Sequence, residues 1–132
     1  MHTIGSRATW ILLNTLIAPI LIATCPAFSQ ELAQEMTMTM GDYRFIPDTL
    51  EVSAGLPVRL TLTNTDRITP HNFIMKYEDA GLNTDIDVSA GKSTIIEFTP
   101  TTPGSYIFYC SKKLPFMKSH RQKGMEGTLI VK

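Results

Sequence analysis

The residues of this chain that could do chemistry are concentrated near its C-terminus. The segment from Tyr109 to Met125 reads YCSKKLPFMKSHRQKGM and holds one cysteine, one histidine and two methionines. A further histidine, His71, lies upstream in the sequence TPHNF. Two histidines, one cysteine and a nearby methionine form the ligand set of an electron-transfer copper site. The residue types therefore point to a soft metal, copper above all, at His71, Cys110, His120 and Met125.

Other chemistry remains open for the same side chains. One cysteine and two histidines can bind zinc, although a zinc site gives the methionine no role. Cys110 and His120 could also form a nucleophile and its base, but no clear orienting group or oxyanion-hole motif accompanies them. No Asp or Glu lies between Cys110 and Met125, which removes the usual acid and base groups from this segment. The sequence therefore predicts a protein that is not an enzyme.

The N-terminus has the layout of a secretory signal peptide. Arg7 precedes an apolar run from about Ala8 to Ala23, and an A-x-S pattern ends at Ser29. An uncleaved membrane anchor is the alternative, but the run is interrupted and shorter than the ~20 residues that span a membrane comfortably. We therefore predict a signal peptide at 1–29, one domain at 30–132, a periplasmic location and no stable membrane association after cleavage.

Export has consequences for the cysteines and for the charge. Cleavage after Ser29 removes Cys25 and leaves Cys110 without a disulfide partner. An exposed free thiol is a liability in an oxidising compartment, so Cys110 must be buried or protected by a metal. Removal of Arg7 changes the count of 12 basic and 12 acidic residues to 11 and 12, a net charge of −1. Nucleic-acid binding is not expected of such an exported, near-neutral domain.

Most of the mature chain alternates between apolar and polar residues, as strands do. The runs with this pattern are TLEVS from Thr49, VRLTLTN from Val58, STIIEFT from Ser93, SYIFYC from Ser105 and GTLIVK from Gly127. Sequences rich in Gly and Pro separate them. Six to eight short strands with regular turns predict an all-β, antiparallel Greek-key β-sandwich. The longest segment without a strand pattern, about Lys76–Val88, could hold a helical turn.

The sequence MTMTMGDYRF, starting at Met36, predicts the first strand. In one reading it is an edge strand whose methionines pack inward while its threonines point to the opposite face. In the other, Met36, Met38 and Met40 form an array that collects Cu(I), because thioethers are soft ligands. The second reading would favour a copper chaperone or buffer.

Taken together, these features resemble a cupredoxin, a small type 1 (blue) copper protein of the plastocyanin and azurin kind. The resemblance covers about Met38–Lys132. YRFIPDTLEVSAGLPVRLTLTN resembles the opening strands, HNF the first ligand site, PGSYIFYC the strand that carries the thiolate, and HRQKGMEGTLIV the His-x4-Met-x-Gly ending. It implies one type 1 copper ion, held strongly by His71, Cys110 and His120 and weakly by Met125.

The resemblance also implies a contact between the two ligand loops. Asn72 follows the first histidine and Ser111 follows the cysteine, as in family members in which these positions join the loops. We therefore predict a hydrogen bond between Asn72 and Ser111 that stiffens the surroundings of the ligands.

The chain departs from the family pattern in one loop. Nine residues separate Cys110 from His120, whereas most small electron-carrying cupredoxins have two to four. The longer loop resembles that of the blue-copper domains of copper nitrite reductases. It contains Met117, which could compete with Met125 as the weak ligand, but the spacing from His120 favours Met125.

The function that the resemblance implies is one-electron transfer between haem or copper proteins. The alternative is a periplasmic copper chaperone or buffer. The long loop predicts an apolar docking patch with a basic rim, which would steer an acidic partner unless it is simply a solvated face. The residues expected to dock are Lys112, Lys113, Leu114, Phe116, Met117 and Lys118.

Overall fold

A computed structural model describes residues 32–132 as two β-sheets packed face to face. The signal peptide predicted at 1–29 lies outside the described residues. The strands are β1 Gln34–Gly41, β2 Arg44–Ile46, β3 Thr49–Val52, β4 Val58–Asn64, β5 His71–Tyr77, β6 Leu82–Val88, β7 Ser93–Phe98, β8 Gly104–Tyr109 and β9 Glu126–Val131. Within this part of the chain, the helical segments are two single 3-10 turns, Glu78–Ala80 and Arg121–Lys123.

Each sheet mixes antiparallel and parallel pairing. One sheet has the order β2-β1-β4-β7 and the other β3-β9-β8-β5-β6. The pairs β1–β4 and β3–β9 are parallel, and the rest are antiparallel. The predicted all-β sandwich is confirmed, and its sheets are mixed, because two of the strand pairs are parallel. Two parallel strands cannot be joined by a tight turn and need a crossover connection. Between β1 and β4 the crossover includes β3, which belongs to the opposite sheet.

Three strands were not anticipated as separate elements. β5 begins with five consecutive buried residues, His71–Met75, so it has no alternation to recognise. β6 carries Asn and Asp residues, which are poor strand formers, and it lies in the segment of about Lys76–Val88 for which no strand was predicted. The helical turn allowed for in that segment is present as the 3-10 turn Glu78–Ala80. The predicted first strand is two strands, because a two-residue turn at Asp42 and Tyr43, both with positive φ, separates β1 from β2.

Strand alternation builds the core between the sheets. In β1, Met38 and Met40 are buried while Thr37 and Thr39 are exposed, so the methionines pack inward as predicted. β1 is an edge strand over only part of its length, since β2 pairs with its last three residues. The same core contains Cys110 and Met125, so the candidate ligands are continuous with the packed interior.

Candidate metal centre

The structure brings three of the predicted ligands together at one end of the sandwich. His71 is the first residue of β5, and Cys110 directly follows β8. His120 immediately precedes the 3-10 turn Arg121–Lys123, in the loop that leads to β9. All three side chains are buried, and their ligand atoms lie within 4.8 Å of one another.

The donor atoms form a triangle of the size that one metal ion requires. His71 Nδ1 lies 3.1 Å from His120 Nδ1, and Cys110 Sγ lies 3.5 Å from His120 Nδ1 and 3.9 Å from His71 Nδ1. The centre of a triangle with these sides is about 2 Å from each corner, which matches metal–nitrogen and metal–sulfur bonds of about 2.0–2.3 Å at zinc sites. The three side chains therefore fit a metal without rearrangement.

Burial separates the two candidate methionines. Met125 is 0 % exposed and lies directly before β9, whereas Met117 is 49 % exposed on the outer part of the loop. The Met125 carbonyl accepts a hydrogen bond from the Cys110 N–H at 3.1 Å, and the Met125 N–H donates to the His120 carbonyl at 3.0 Å. The backbone thus ties Met125 to two of the other three predicted ligands.

The long loop between Cys110 and His120 is closed at its base. The His120 N–H donates to the Lys112 carbonyl at 2.8 Å, and the Arg121 N–H donates to the Cys110 carbonyl at 3.0 Å. Most of the additional residues therefore project outward beyond this closure. The donor geometry is compact although nine residues intervene.

The predicted contact between Asn72 and Ser111 is present. Asn72 Nδ2 donates to Ser111 Oγ at 3.0 Å, and the Ser111 N–H donates to Asn72 Oδ1 at 2.8 Å. The Asn72 N–H also points to Cys110 Sγ at 3.4 Å. Asn72 therefore links the start of β5, which carries His71, to the cysteine and the residue after it.

Sequence reasoning missed Asp66, which contacts His71 from outside the donor triangle. Asp66 Oδ2 lies 2.8 Å from His71 Nε2, and Asp66 Oδ1 accepts a hydrogen bond from the Asp42 N–H at 3.1 Å. Partial burial raises the pKa of Asp66, but the hydrogen bonds from His71 and Asp42 outweigh it, so the net pKa lies below its usual value. Nothing in the sequence distinguishes this acid from the others.

Tyr43 also went unrecognised. Its ring packs edge-on against His120, with centroids 4.8 Å apart, and against His71 at 6.4 Å. The Lys123 ammonium lies 3.9 Å from the centroid of the Tyr43 ring, a cation–π contact. The sequence offers one sign of a special role for Tyr43, namely that it follows Gly41 and Asp42 at a turn between two strands.

Burial sets the protonation of the metal-free site. It raises the pKa of the Cys110 thiol, against the lowering effect of the Asn72 N–H. It lowers the pKa of His120, and the neighbouring His71 lowers it further. The thiol is thus protonated and His120 neutral near pH 7, and metal binding must release the thiol proton.

The predicted docking residues fall into two groups. Leu114, Phe116 and Met117 are exposed, whereas Lys112 is partly buried and pairs with Asp87 at 2.7 Å. Lys113 and Lys118 are exposed and have no acidic partner among residues 32–132. A pocket of about 230 Å³ lies between this loop and His120. Its lining includes Tyr43, Ile68, Pro70, Lys112, Lys113, Leu114, Met117, Lys118, His120 and Lys123.

The chain is similar in sequence to known proteins of one family. The sequence model of the cupredoxin-like domain matches residues 12–131. This chain belongs to the cupredoxin-like family. The plastocyanin of Dryopteris crassirhizoma is 29% identical over 104 residues, which cover 70% of this chain and 92% of that protein.

Solved structures share the fold of this cupredoxin. Dithionite-reduced auracyanin from Roseiflexus castenholzii has a TM-score of 0.60 at 21% identity, covering 76% of this chain and 98% of that one. Auracyanin A of Chloroflexus aurantiacus, a "blue" copper protein, has a TM-score of 0.55 at 23% identity, covering 74% of this chain and 99% of that one. The predicted cupredoxin resemblance is confirmed. Family and donor set together identify the cofactor as one type 1 copper ion.

No helix within 32–132 is long and apolar enough to cross a membrane. The predicted cleavage after Ser29 stays a prediction, since it falls outside those residues.

Proposed function

We propose that this cupredoxin is a periplasmic one-electron carrier. In this proposal His71, Cys110 and His120 bind one copper ion strongly, and Met125 is the weak fourth ligand. The observation that carries it is the buried triangle of two imidazole nitrogens and one thiol sulfur, 3.1–3.9 Å on a side. Two nitrogens, one sulfur and a methionine are the donors of blue-copper electron-transfer sites.

The residues around the triangle suit electron transfer better than catalysis. When bound, copper supplies a couple that gains and loses one electron. His71 and Cys110 are fully buried and His120 nearly so, and thus water and small substrates have little access to the donor atoms. Backbone hydrogen bonds of Cys110, His120 and Met125 hold these residues in place, and a rigid site needs little rearrangement when its charge changes.

The edge of His120 is the proposed port for electrons. His120 lines the surface pocket, and His71 does not. Exposed apolar side chains at Leu114, Phe116 and Met117 provide the contact area that a transient partner needs. Lys113 and Lys118 add positive charge, which favours an acidic haem or copper protein as partner.

The copper chaperone or buffer is less well supported. Its specific sequence feature was the methionine array of β1, but Met38 and Met40 are buried in the core, where they cannot collect metal from solvent. Met36 is also packed against that core. The periplasmic location rests on the predicted signal peptide.

Copper cycling distinguishes these functions. The copper-loaded protein should bind one copper per chain and be reduced and reoxidised repeatedly without losing metal to a Cu(I) chelator in solution. Cys110→Ser is the matched control, because it removes the thiolate at almost constant volume and should abolish stable cycling. Transfer of copper to the chelator on each reduction would support the chaperone instead, and tight azide binding to the copper would indicate an open catalytic site.

A further inference from the structure

The carboxylate of Asp66 joins two parts of the molecule that both touch the donor triangle. One oxygen is 2.8 Å from His71 Nε2, and the other accepts the Asp42 N–H at 3.1 Å. The side chain is only 25 % exposed. It thus differs from a mobile surface acid, because each oxygen has a defined partner.

A buried network places Asp66 in this position. Asn64 is buried, and its Oδ1 accepts the Asp66 N–H at 3.0 Å. Asn64 Nδ2 donates to the carbonyls of Thr69 at 2.9 Å and Val88 at 3.0 Å. The loop from β4 to β5 is thereby held at both ends, and the Asp66 carboxylate is preorganised toward His71.

The contact with Asp66 fixes the form of the His71 imidazole. His71 Nδ1 faces Cys110 and His120, so Nε2 is the ring nitrogen that carries a hydrogen toward Asp66, and the carboxylate accepts a hydrogen bond from it. An ionised acceptor on the far nitrogen makes an imidazole a stronger metal ligand. His120 has no corresponding partner for Nε2 among the described residues, so the two histidines are not equivalent.

The second oxygen of Asp66 acts on Tyr43. Asp42 and Tyr43 form the turn between β1 and β2, and both have positive φ, which non-glycine residues seldom adopt without support. The bond from the Asp42 N–H to Asp66 supplies such support. It holds the turn so that the Tyr43 ring lies against His120 and His71.

We propose that Asp66 is a positioning residue that fixes the His71 imidazole and the Tyr43 turn together, and that its negative charge lowers the reduction potential of the copper site. The potential falls because a carboxylate hydrogen-bonded to a ligand stabilises Cu(II) more than Cu(I). This part rests on the proposed function, since it requires copper at His71. The fixed Nε2–H tautomer of His71 does not require copper.

The test compares Asp66→Asn with Asp87→Asn. Asp87 is a matched control, because it is an exposed acid near the site that pairs with Lys112, and its carboxylate makes no hydrogen bond to a predicted ligand within residues 32–132. Asp66→Asn should raise the reduction potential and weaken Cu(II) binding about 10–100-fold, the usual cost of losing a ligand's outer partner. Asp87→Asn should change both far less. Equal shifts of the reduction potential in the two variants would overturn the proposal. They would show that any nearby negative charge has this effect and that the contact between Asp66 and His71 is not needed.

A second measurement works without copper and without a variant. Nitrogen NMR of the metal-free protein should show His71 protonated on Nε2, with that proton protected from exchange with water. Protonation on Nδ1, or rapid exchange, would overturn the proposal even if copper cycling succeeds. If copper cycling fails while the His71 signal is as expected, the electron-carrier function is wrong and the positioning by Asp66 stands.

Discussion

At the scale of single residues, burial separates side chains of the same chemical type. Met125 is 0 % exposed and Met117 is 49 % exposed, although both lie within five positions of His120. Met38 and Met40 are equally buried but belong to β1 and pack in the core. Of these four methionines, Met125 alone combines burial with backbone bonds to Cys110 and His120.

This difference predicts which methionine tunes the copper. Met125→Leu keeps nearly the same volume and removes the sulfur. We expect it to raise the reduction potential, because loss of a weak donor disfavours Cu(II) and the axial ligand tunes the potential of such sites. Met117→Leu is the matched control and should leave the potential unchanged. Voltammetry decides, and a shift in Met117→Leu with none in Met125→Leu would contradict the assignment.

The sequence predicted the metal donors at this scale because so few candidates remain. After cleavage at Ser29 the chain would hold two histidines and one cysteine, so the set at His71, Cys110 and His120 is nearly forced. Asp66 is different, since it is one of 12 acids and its role depends on how Asn64 folds the loop. Such a contact arises from tertiary structure and leaves no local pattern.

At the scale of elements, the site depends on where strands begin and end. His71 starts β5, Cys110 follows β8, and Met125 precedes β9. The two hydrogen bonds between Asn72 and Ser111 join the first two of these strand ends. The ends of these strands are therefore held together, and the long loop between Cys110 and His120 projects outward from them.

The bond pair between Asn72 and Ser111 should contribute measurably to stability. Asn72→Ala removes two hydrogen bonds, each contributing about 0.5–1.5 kcal/mol, so the free energy of unfolding should fall by about 1–3 kcal/mol. Denaturant unfolding of the metal-free protein measures this. The control is Ser93→Ala, which removes one exposed hydrogen bond between Ser93 and Thr63. Both of these residues lie on the four-stranded sheet, which does not contain Asn72. If Asn72→Ala lowered the free energy of unfolding no more than Ser93→Ala does, the expected contribution of the two Asn72–Ser111 hydrogen bonds would be contradicted.

Sequence patterns recovered those elements whose burial alternates. β3, β4, β7 and β9 follow runs that were recognised, because each presents one face to the core. β8 was also recognised, from its aromatic and β-branched residues, although Phe108 is its one buried residue. β5 was missed because both of its faces are buried near His71. The parallel pairing of β1 with β4 was also missed, since pairing direction depends on the crossover and not on composition.

At the scale of the whole molecule, charge and apolar surface are unevenly distributed around the site. Exposed Leu114, Phe116 and Met117 lie on the same loop as Lys113 and Lys118. This loop borders the pocket that reaches His120. The arrangement gives the molecule one face with both apolar contact area and unpaired positive charge within the described residues.

Charge reversal on this face should change electron transfer with small charged reagents. In Lys113→Glu/Lys118→Glu, oxidation by anionic hexacyanoferrate(III) should slow, and its rate should lose the decrease that added salt causes in the parent protein. Stopped-flow absorbance provides the rates. Lys76→Glu/Lys132→Glu changes the net charge equally, but Lys76 and Lys132 lie at the ends of β5 and β9 that are far from His71 and Met125. This control should slow the oxidation less. A larger effect in the control would place the port elsewhere.

The absorption and EPR spectra of the copper-loaded protein test the central claim most directly. If Cys110, His71 and His120 hold one copper together, the spectra should show an intense visible thiolate-to-copper band and a small copper hyperfine splitting. Cys110→Ser should lose both. A weak absorption with a wide splitting, unchanged by Cys110→Ser, would contradict the account.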